Sequence, residues 1–304
     1  MKLSLLHKKY LQKLIKCTKF DENNTTNKKC VLQYVIKLLD YSIPDTDYIK
    51  PTCDFLTDHI QLWILLVVAK FGYLSHAVPQ TDREKIMFSA LFRSIANSMY
   101  SILVLSKKGL DYSAQSLLRT LMEQFFVLLS VTNDRDKRMA YLDNYGGKDA
   151  NTSWYKNFKK EKFIAMIKEY FDDDFLKKQF IELVNSEYSD YSSFIHNDYI
   201  NTLCYSMVYL DDKKTYPNLC GRYVTREKEI NTNCFVNSFL MAEIFYHMVR
   251  EPKVDFSLYS VLEINNQTDL ELIRKLYILQ KNLGIIIASE LQGGNNSCPP
   301  TSHT

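Results

Sequence analysis

One helical segment places small hydroxyl side chains and a histidine on a single face. Residues three and four apart share a face of an α-helix, so the spacing between 185 and 196 makes a polar stripe. This serine–histidine stripe consists of Asn185, Ser189, Ser192, Ser193 and His196. Histidine titrates near neutral pH, so His196 is a candidate general base or acid. Ser193 would hold its tautomer or contact a phosphate, and Ser189 and Asn197 are candidate ligand contacts.

The stripe also has a structural interpretation. Serine is a mediocre helix former, so four serines between 186 and 193 lower the helix propensity, which favours a functional role for this face. Small residues also allow close helix–helix packing, however, and a lone histidine is more often structural than catalytic. The sequence leaves both interpretations open.

A second candidate site lies in an apolar helix over residues 112–130. Arg119 and Glu123 are i,i+4 neighbours in a segment that is apolar around nearly its whole circumference, which predicts that both are at least partly buried. Buried charges must be paired or neutralised. The two residues are therefore either a structural ion pair or a site in which Arg119 meets an anionic ligand and Glu123 orients it.

The helix before this one adds two candidate ligand contacts. Arg93 and Asn97 have the same i,i+4 spacing there, with Ser94 and Ser101 nearby. Side chains at that spacing lie on one face of a helix. We therefore predict a polar seam between the two helices.

Residues 154–163 interleave aromatic and basic side chains, among them Trp154, Phe158, Lys159 and Lys160. Aromatic rings stack on bases and cations pair with phosphates, so this mixture suits a nucleic-acid contact. The solvated face of an ordinary amphipathic helix has the same composition and is the more common cause. Lys159 and Lys160 are candidate phosphate contacts under the first interpretation.

The elements that must position these residues are predicted to be helices. The chain has 304 residues, of which 46% are hydrophobic, with only 8 glycines and 7 prolines. Thr81 and Glu84 have the spacing of a capping box, and the helix they open ends before Gly109. Asp111 or Ser113 then caps a helix that runs to residue 130. We predict an all-α, multi-helix bundle with a central antiparallel helical hairpin.

Polar segments suggest how the chain is divided. We predict an N-terminal helical region over residues 1–80, a central helical bundle over 81–291 and a disordered tail over 292–304. One helix is predicted from Thr152 to Tyr170, and residues 198–230 are predicted to be less regular, as a long loop or a small excursion.

Composition limits the class of protein. The net charge of +3 neither requires nor excludes nucleic acid. Seven cysteines without a C-x-x-C pair favour reduced thiols over disulfides or a zinc site. The strongest apolar run, from Trp63 to Ala69, is shorter than the roughly 20 residues that cross a bilayer. These features predict a cytoplasmic protein with no membrane partner, and no motif predicts a metal or another cofactor.

The central region, from Thr81 to Asp198, resembles an uncharacterised family of bacterial all-helical proteins. The resemblance rests on an R-[ST]-L-x-E helix core, here Arg119-Thr120-Leu121-Met122-Glu123, and on a serine-rich helix that ends in histidine, here Ser189 to His196. Such proteins are similar to the HEPN superfamily, whose helical bundles are common in toxin–antitoxin, abortive-infection and other anti-phage systems. Many HEPN members are metal-independent ribonucleases that act as dimers. The resemblance therefore implies a HEPN-like defence effector that cleaves or binds RNA and forms a homo-oligomer.

The chain departs from the active HEPN nucleases at one point. Those enzymes usually carry Arg-x4–6-His on one helix, and residues 189–191 here are serine, aspartate and tyrosine. Arg119 would have to replace that arginine from another helix, with His196 deprotonating a ribose 2′-hydroxyl. The alternative is a non-enzymatic helical sensor or partner-binding module of a defence system.

Overall fold

The computed structural model describes residues 3–21, 26–42, 50–79, 81–143, 150–170, 174–195, 207–211, 214–217, 226–250 and 267–294. Within these ranges the chain is mainly helical, which confirms the predicted all-α class. The helices are α1 (Leu5–Cys17), α2 (Lys28–Ser42), α3 (Phe55–Ala77), α4 (Arg83–Lys107), α5 (Asp111–Asn133), α6 (Arg135–Asp143), α7 (Ala150–Asn157), α8 (Lys160–Tyr170), α9 (Asp174–Ile195), α10 (Glu227–Arg250) and α11 (Gln267–Gly294).

The chain forms two compact units, whose limits differ from the predicted domains. Unit 1 comprises Met1–Tyr73 and Asn266–Thr304, and unit 2 comprises Leu74–Asn265. The boundary therefore falls inside α3 rather than at residue 80, and α11 groups with the N-terminal helices rather than with the central bundle. Helix α11 extends to Gly294, past the start of the predicted tail at 292, and the rest of that tail lies outside the described residues.

Unit 1 is built around α3, whose side chains from Thr57 to Phe71 are all buried. A helix that is apolar on nearly all sides belongs in the centre of a fold. Helix α11 packs into this unit because Trp63 Nε1 donates a hydrogen bond to the Gln280 carbonyl at 3.1 Å. Asn282 Nδ2 also donates to Thr18 Oγ1 at 3.2 Å. These distant contacts explain the regrouping of α11.

Helices α3 and α4 are long and apolar enough to cross a membrane, by length and composition alone. In the 18-residue stretch of each helix that is apolar enough, 78% of the residues in α3 and 56% of those in α4 are buried inside the fold. Core helices of soluble proteins pass the same test, so this is weak evidence for a membrane span. The cytoplasmic location stays a prediction.

Unit 2 contains the central antiparallel hairpin that the sequence predicted, made of α4 and α5. The two helices pack along their length and are joined by residues 108–110. Gly109 has φ 66°, a left-handed conformation that favours glycine and stops α4. Helices α6, α8, α9 and α10 also contact α5, which is thus the centre of unit 2.

The start of α4 differs from the predicted capping box. The cap is Asp82, whose carboxylate accepts the Lys85 backbone N–H at 2.9 Å. Thr81 Oγ1 instead accepts from Lys85 Nζ, and Glu84 Oε2 lies 3.4 Å from Arg138 Nη1. An aspartate caps at least as well as threonine, and its charge also favours the positive end of the helix dipole.

The second helix of the hairpin also lacks the cap that the sequence suggested. Its N-cap is Leu110, which has no side-chain cap bond. Asp111 Oδ2 accepts the Arg226 backbone N–H at 3.0 Å, just before α10 begins. The aspartate therefore joins two helices instead of capping its own.

Two further segments differ from expectation. The helix predicted from Thr152 to Tyr170 is split into α7 and α8 around Phe158. Residues five apart on one straight helix point about 140° apart, and the split lets Phe158 and Phe163 both be buried. The less regular region, predicted as a long loop or a small excursion, contains an antiparallel pair of strands that the sequence did not predict, β1 (Met207–Asp211) and β2 (Lys214–Pro217).

Candidate functional site

Arg119 and Glu123 form an ion pair, as their spacing predicts. Arg119 Nε donates to Glu123 Oε1 at 3.0 Å, and the two side chains are 18% and 26% exposed. Tyr188 of α9 joins them, because its hydroxyl donates to Glu123 Oε1 at 3.0 Å and accepts from Arg119 Nη2 at 3.0 Å. This Arg119–Glu123–Tyr188 cluster ties α5 to α9.

The ring of Tyr188 is held by cations and by other aromatic rings. Arg119 Cζ lies 4.7 Å from the ring centroid, and Lys160 Nζ lies 5.6 Å from it. Phe126 stacks on Tyr188 with centroids 6.0 Å apart, and Phe163 stacks on Phe126 at 4.1 Å. Cation–π attraction and stacking together fix the position of the hydroxyl that bridges the ion pair.

The protonation states of the cluster follow from its surroundings. Burial lowers the pKa of Arg119, but its bonds to Glu123 and Tyr188 outweigh this, so the net shift is upward. Burial raises the pKa of Tyr188, and the charge of Glu123 raises it further. At neutral pH Arg119 is a cation and Tyr188 a neutral phenol. The charge of Arg119 is directed at Glu123, as in a structural ion pair.

A second set of contacts holds α9 against α10. The Tyr191 hydroxyl donates to Glu187 Oε2 and accepts from Asn237 Nδ2 at 2.7 Å. Burial, together with the hydrogen bond and charge of Glu187, raises the pKa of Tyr191, so the phenol stays neutral. Two tyrosines three residues apart thus attach α9 to two different helices.

A cleft of about 660 Å³ lies beside the cluster, between α4, α5, α6 and α7. Glu123 belongs to both the cluster and the cleft. Aliphatic side chains of α4 and α5 form one wall and the rings of Tyr141 and Trp154 form another. The polar side chains in its lining are Arg83, Ser94, Thr120, Glu123 and Gln124.

Several of these side chains are held in place by neighbours. Gln124 Nε2 donates to Ser94 Oγ at 2.7 Å, and Arg83 Nη2 donates to the Leu142 carbonyl at 2.7 Å. Phe158 is 2% exposed and contacts both aromatic rings of the cleft, with centroids 5.5 Å from Tyr141 and 5.9 Å from Trp154. The cleft is therefore a preformed cavity with an apolar interior and a few oriented polar groups.

The serine–histidine stripe is only partly described. Asn185 and Ser189 are exposed, and Ser192 Oγ donates to the Tyr188 carbonyl of its own helix at 2.6 Å. Ser193 lies in α9, but its side chain is outside the described part of the structure. His196 and Asn197 lie outside the described residues. Their catalytic and ligand-binding roles stay predictions.

The predicted polar seam between α4 and α5 includes Ser94, as the sequence suggested, but neither Arg93 nor Asn97 makes a described bond across these two helices. Ser94 and Gln124 make the hydrogen bond across the two helices. Arg93 Nε donates to Ser75 Oγ at 3.3 Å, and Asn97 is exposed. The described lining of the cleft includes neither of these two predicted ligand contacts.

The two predicted phosphate contacts lie in different surroundings. Lys159 Nζ is 3.8 Å from Glu161 Oε2 in an exposed pair, while Lys160 lies over the Tyr188 ring. Lys160 thus belongs with Arg119 and Glu123, and Lys159 does not. In the part of the chain that is described, no group of three or more His, Cys, Asp and Glu side chains could hold a metal ion.

Sequence reasoning missed Tyr188, Tyr141 and Arg83 as parts of the site. Tyr188 follows directly on a glutamate in a polar helix, and nothing in its spacing pairs it with Arg119 across 69 residues. The sequence did indicate Trp154, because the mixture of aromatic and basic residues begins there, and Trp154 lines the cleft.

Residues 85–201 match a family of unknown function (DUF5677). The matched segment contains the Arg119–Glu123–Tyr188 cluster and every described residue of the cleft lining except Arg83. It nearly coincides with the region from Thr81 to Asp198 that carries the sequence resemblance. No curated protein and no solved structure matches the chain. The site therefore lies in the segment that this chain shares with a family, and the match names no activity.

Proposed function

We propose that unit 2 is a non-enzymatic ligand-binding module whose cleft accepts a small molecule with an apolar body. The observation that carries this proposal is the cleft itself. Its volume of about 660 Å³ falls within the roughly 300–1,000 Å³ of small-molecule sites, and such sites combine apolar walls with a few polar groups, as this cleft does. Because the sequence resembles proteins of defence systems, we assign the module a sensing role in such a system.

The Arg119–Glu123–Tyr188 cluster supports this role better than a catalytic one. Arg119 already donates to both partners, and its bond to the Glu123 carboxylate offsets its charge, so a phosphate would have to compete with Glu123 for that charge. Such charge-assisted bonds are stronger than neutral hydrogen bonds. The cluster instead holds Glu123 in one position at the edge of the cleft, as a binding site needs.

A variant that fills the cleft tests the proposal. Ala90 lines the cleft and is exposed, so Ala90→Trp adds bulk there without disturbing the core. Ala165 is an exposed alanine of α8 in the same unit, and Ala165→Trp is the matched control. The probe is the amphipathic dye 1-anilinonaphthalene-8-sulfonate, whose fluorescence rises in apolar surroundings.

We expect the wild type to bind the dye saturably at one site and Ala165→Trp to bind it with equal affinity. Ala90→Trp should bind it at least about tenfold more weakly, which is a loss of about 1.4 kcal/mol in binding free energy. Circular dichroism melts confirm that both variants fold. Equal binding by Ala90→Trp and the wild type would exclude the cleft as the site. Absence of saturable binding by the folded wild type would overturn the proposal.

The packing of α5 on α9 favours a second candidate, the metal-independent HEPN-like ribonuclease. The two helices that carry the sequence motifs are neighbours, and Arg119 contacts α9 through Tyr188. In this case His196 would act as the base and Arg119 would leave Glu123 to stabilise the phosphate charge. The resemblance also implies a homo-oligomer and a partner protein of the same defence system.

The ribonuclease is tested by incubating total and transfer RNA with purified wild type and His196→Ala in the presence of EDTA. Cleavage that survives EDTA and disappears in the folded variant would support a metal-independent nuclease. Undiminished cleavage by His196→Ala would contradict the role of the histidine, and no cleavage by the folded wild type would favour the binding module. Light scattering on the same samples gives the oligomeric state.

A further inference from the structure

We infer that the ligand of the cleft is a short extended peptide of about four residues, with its amino end at Glu123 and its carboxyl end at Arg83. This inference rests on the proposed function and names the chemical class of the ligand. It joins three features of the cleft that the proposed function leaves unused: its elongated shape, the opposite charges at its two ends and the hydrogen-bonding groups between them.

The cleft is elongated because its lining follows one face of α4 for about three turns. The lining residues of α4 recur at intervals of three or four, and they are Arg83, Ile86, Met87, Ala90, Leu91 and Ser94. From Arg83 to Ser94 this wall is about 16 Å long, at a rise of about 1.5 Å per residue. A cleft of this shape suits an extended chain better than a compact ring system.

The two ends of the cleft carry opposite charges. Gln124 donates to Ser94 Oγ at 2.7 Å, so Glu123, which precedes it in α5, lies near the Ser94 end of the wall, and Arg83 lies at the other end. A peptide has the complementary charges, an ammonium at one end and a carboxylate at the other. Four extended residues span about 13–14 Å, at roughly 3.3–3.6 Å each, which fits between two side chains that reach inward from points about 16 Å apart.

Glu123 has an oxygen that can receive the ammonium. Both of its hydrogen bonds go to Oε1, and within the described residues Oε2 has no partner. An ionised carboxylate only accepts hydrogen bonds, and an ammonium only donates them. Arg119 offsets part of the carboxylate charge, so the ammonium gains mainly a charge-assisted hydrogen bond. A purely apolar ligand such as an acyl chain would desolvate Oε2 without replacing its bonds to water.

Arg83 can receive the terminal carboxylate. It is exposed, and one of its five N–H groups donates to the Leu142 carbonyl at 2.7 Å, which directs the guanidinium toward the end of α6. The remaining N–H groups of a guanidinium match the two oxygens of a carboxylate. The bond to Leu142 therefore holds a carboxylate-binding group at this end of the cleft.

The middle of the cleft suits peptide groups and apolar side chains. Ser94 Oγ already accepts a hydrogen bond, so its own proton is available for a carbonyl of the ligand. The Thr120 hydroxyl, which has no partner within the described residues, can donate or accept. Each peptide group brings one N–H and one carbonyl. The rings of Tyr141 and Trp154 are restrained by packing on Phe158, and they give apolar side chains a preformed surface.

Trp154 offers a direct optical test. The chain has two tryptophans, so a Trp63→Phe background leaves Trp154 as the single reporter, inside the cleft. The probes are the tetrapeptides Leu-Ala-Val-Leu and Phe-Ala-Leu-Val with free ends, and the same peptides with an acetylated amino end or an amidated carboxyl end. The dipeptide Leu-Leu is too short to reach both charges. Binding is followed by the change in Trp154 fluorescence and by displacement of the dye from the wild type.

We expect at least one free tetrapeptide to bind saturably. Acetylation and amidation should each weaken its binding about tenfold, which corresponds to about 1.4 kcal/mol, because each removes the charge at one end. Leu-Leu should bind at least about tenfold more weakly than the tetrapeptide, since it can use only one of the two charged residues.

Two variants assign each end of the peptide to its residue. Glu123→Gln keeps an oxygen that can accept from Arg119 and Tyr188, so it should weaken the free peptide about tenfold and leave acetylation with almost no further effect. Arg83→Ala should do the same for amidation. Arg135→Ala removes an exposed arginine of α6 that is absent from the described lining, and it should leave every affinity unchanged. Circular dichroism melts confirm that the variants fold.

The outcomes separate this inference from the proposed function. If the dye binds in the cleft and no tetrapeptide displaces it, the peptide inference is wrong and the binding module stands. Blocked peptides or Leu-Leu that bind as well as the free tetrapeptides also overturn the inference, as does a full effect of acetylation in Glu123→Gln or of amidation in Arg83→Ala. If the dye itself fails to bind the folded wild type, both fall.

Discussion

Removal of the charge of Arg119 should destabilise unit 2. Arg119→Met keeps an unbranched apolar stem but deletes the ion pair, the bond to the Tyr188 hydroxyl and the cation over its ring. Exposed ion pairs contribute about 0.2–1 kcal/mol, whereas breaking a buried pair costs about 3–5 kcal/mol. With side chains 18% and 26% exposed, this pair is intermediate. We expect the free energy of unfolding to fall by about 1.5–3 kcal/mol.

Tyr188→Phe isolates the contribution of the bridging hydroxyl. The ring stays on Phe126, while two hydrogen bonds to charged partners are lost. Hydrogen bonds to charged groups contribute about 1.5–3 kcal/mol when buried, and water replaces part of this here, so we expect a loss of about 1–2 kcal/mol. The double variant Arg119→Met, Tyr188→Phe should lose about 1 kcal/mol less stability than the sum of the two single losses, because both changes remove the same Arg119–Tyr188 bond.

The assay is urea unfolding followed by the fluorescence of Trp154 in the Trp63→Phe background, which reports on unit 2. Lys178→Met is the matched control, since it removes a lysine from a 4.0 Å pair on α9 whose side chains are 77% and 66% exposed. The control should change the stability by less than about 0.5 kcal/mol. The cluster does not hold α5 and α9 together if Arg119→Met changes the free energy of unfolding as little as the control does. The same conclusion follows if the stability losses of Arg119→Met and Tyr188→Phe simply add in the double variant.

Three further predictions concern single positions. Burial raises the pKa of Asp111 above 3.8, so its favourable contribution is complete below 3.8 and is lost as the pH rises through its folded pKa. Asp111→Asn, whose amide oxygen can still accept the Arg226 N–H, should remove this loss, so the stability of unit 2 in urea unfolding should fall less than in the wild type as the pH rises above 3.8, and an unchanged slope would contradict this. Burial lowers the pKa of His59, which lies between Tyr10 and Phe55, so the unfolded chain takes up a proton at a higher pH than the folded chain does. Unit 1 should therefore lose stability as the pH falls below 6.5. His59→Gln should remove this pH dependence in thermal melts, and a dependence that survives would show that another group titrates. Gly109→Ala should lower the stability of the α4–α5 hairpin by about 1 kcal/mol in urea unfolding, because alanine is strained at φ 66°, and a neutral effect would mean that the turn adjusts.

The sequence determined the features of this protein that depend on local patterns. The apolar periodicity around Arg119 and the breaker at Gly109 were enough to predict the central hairpin, because helix formation and termination depend on neighbours a few residues apart. The i,i+4 spacing also placed Arg119 and Glu123 within reach of each other, and an ion pair was one of the two interpretations that the sequence left open. The aromatic and basic residues after Trp154 marked a second region of the site, although they did not show where it faces.

Only the tertiary structure decided which distant residues share the site. Tyr188 meets Arg119 across 69 positions, and the cleft joins Arg83 to Trp154 on separate helices. Helix α11 groups with the N-terminal helices through Trp63 and Gln280, which are 217 residues apart. Contacts of this kind depend on how whole helices pack, and packing follows from the shapes of many side chains at once rather than from a local period.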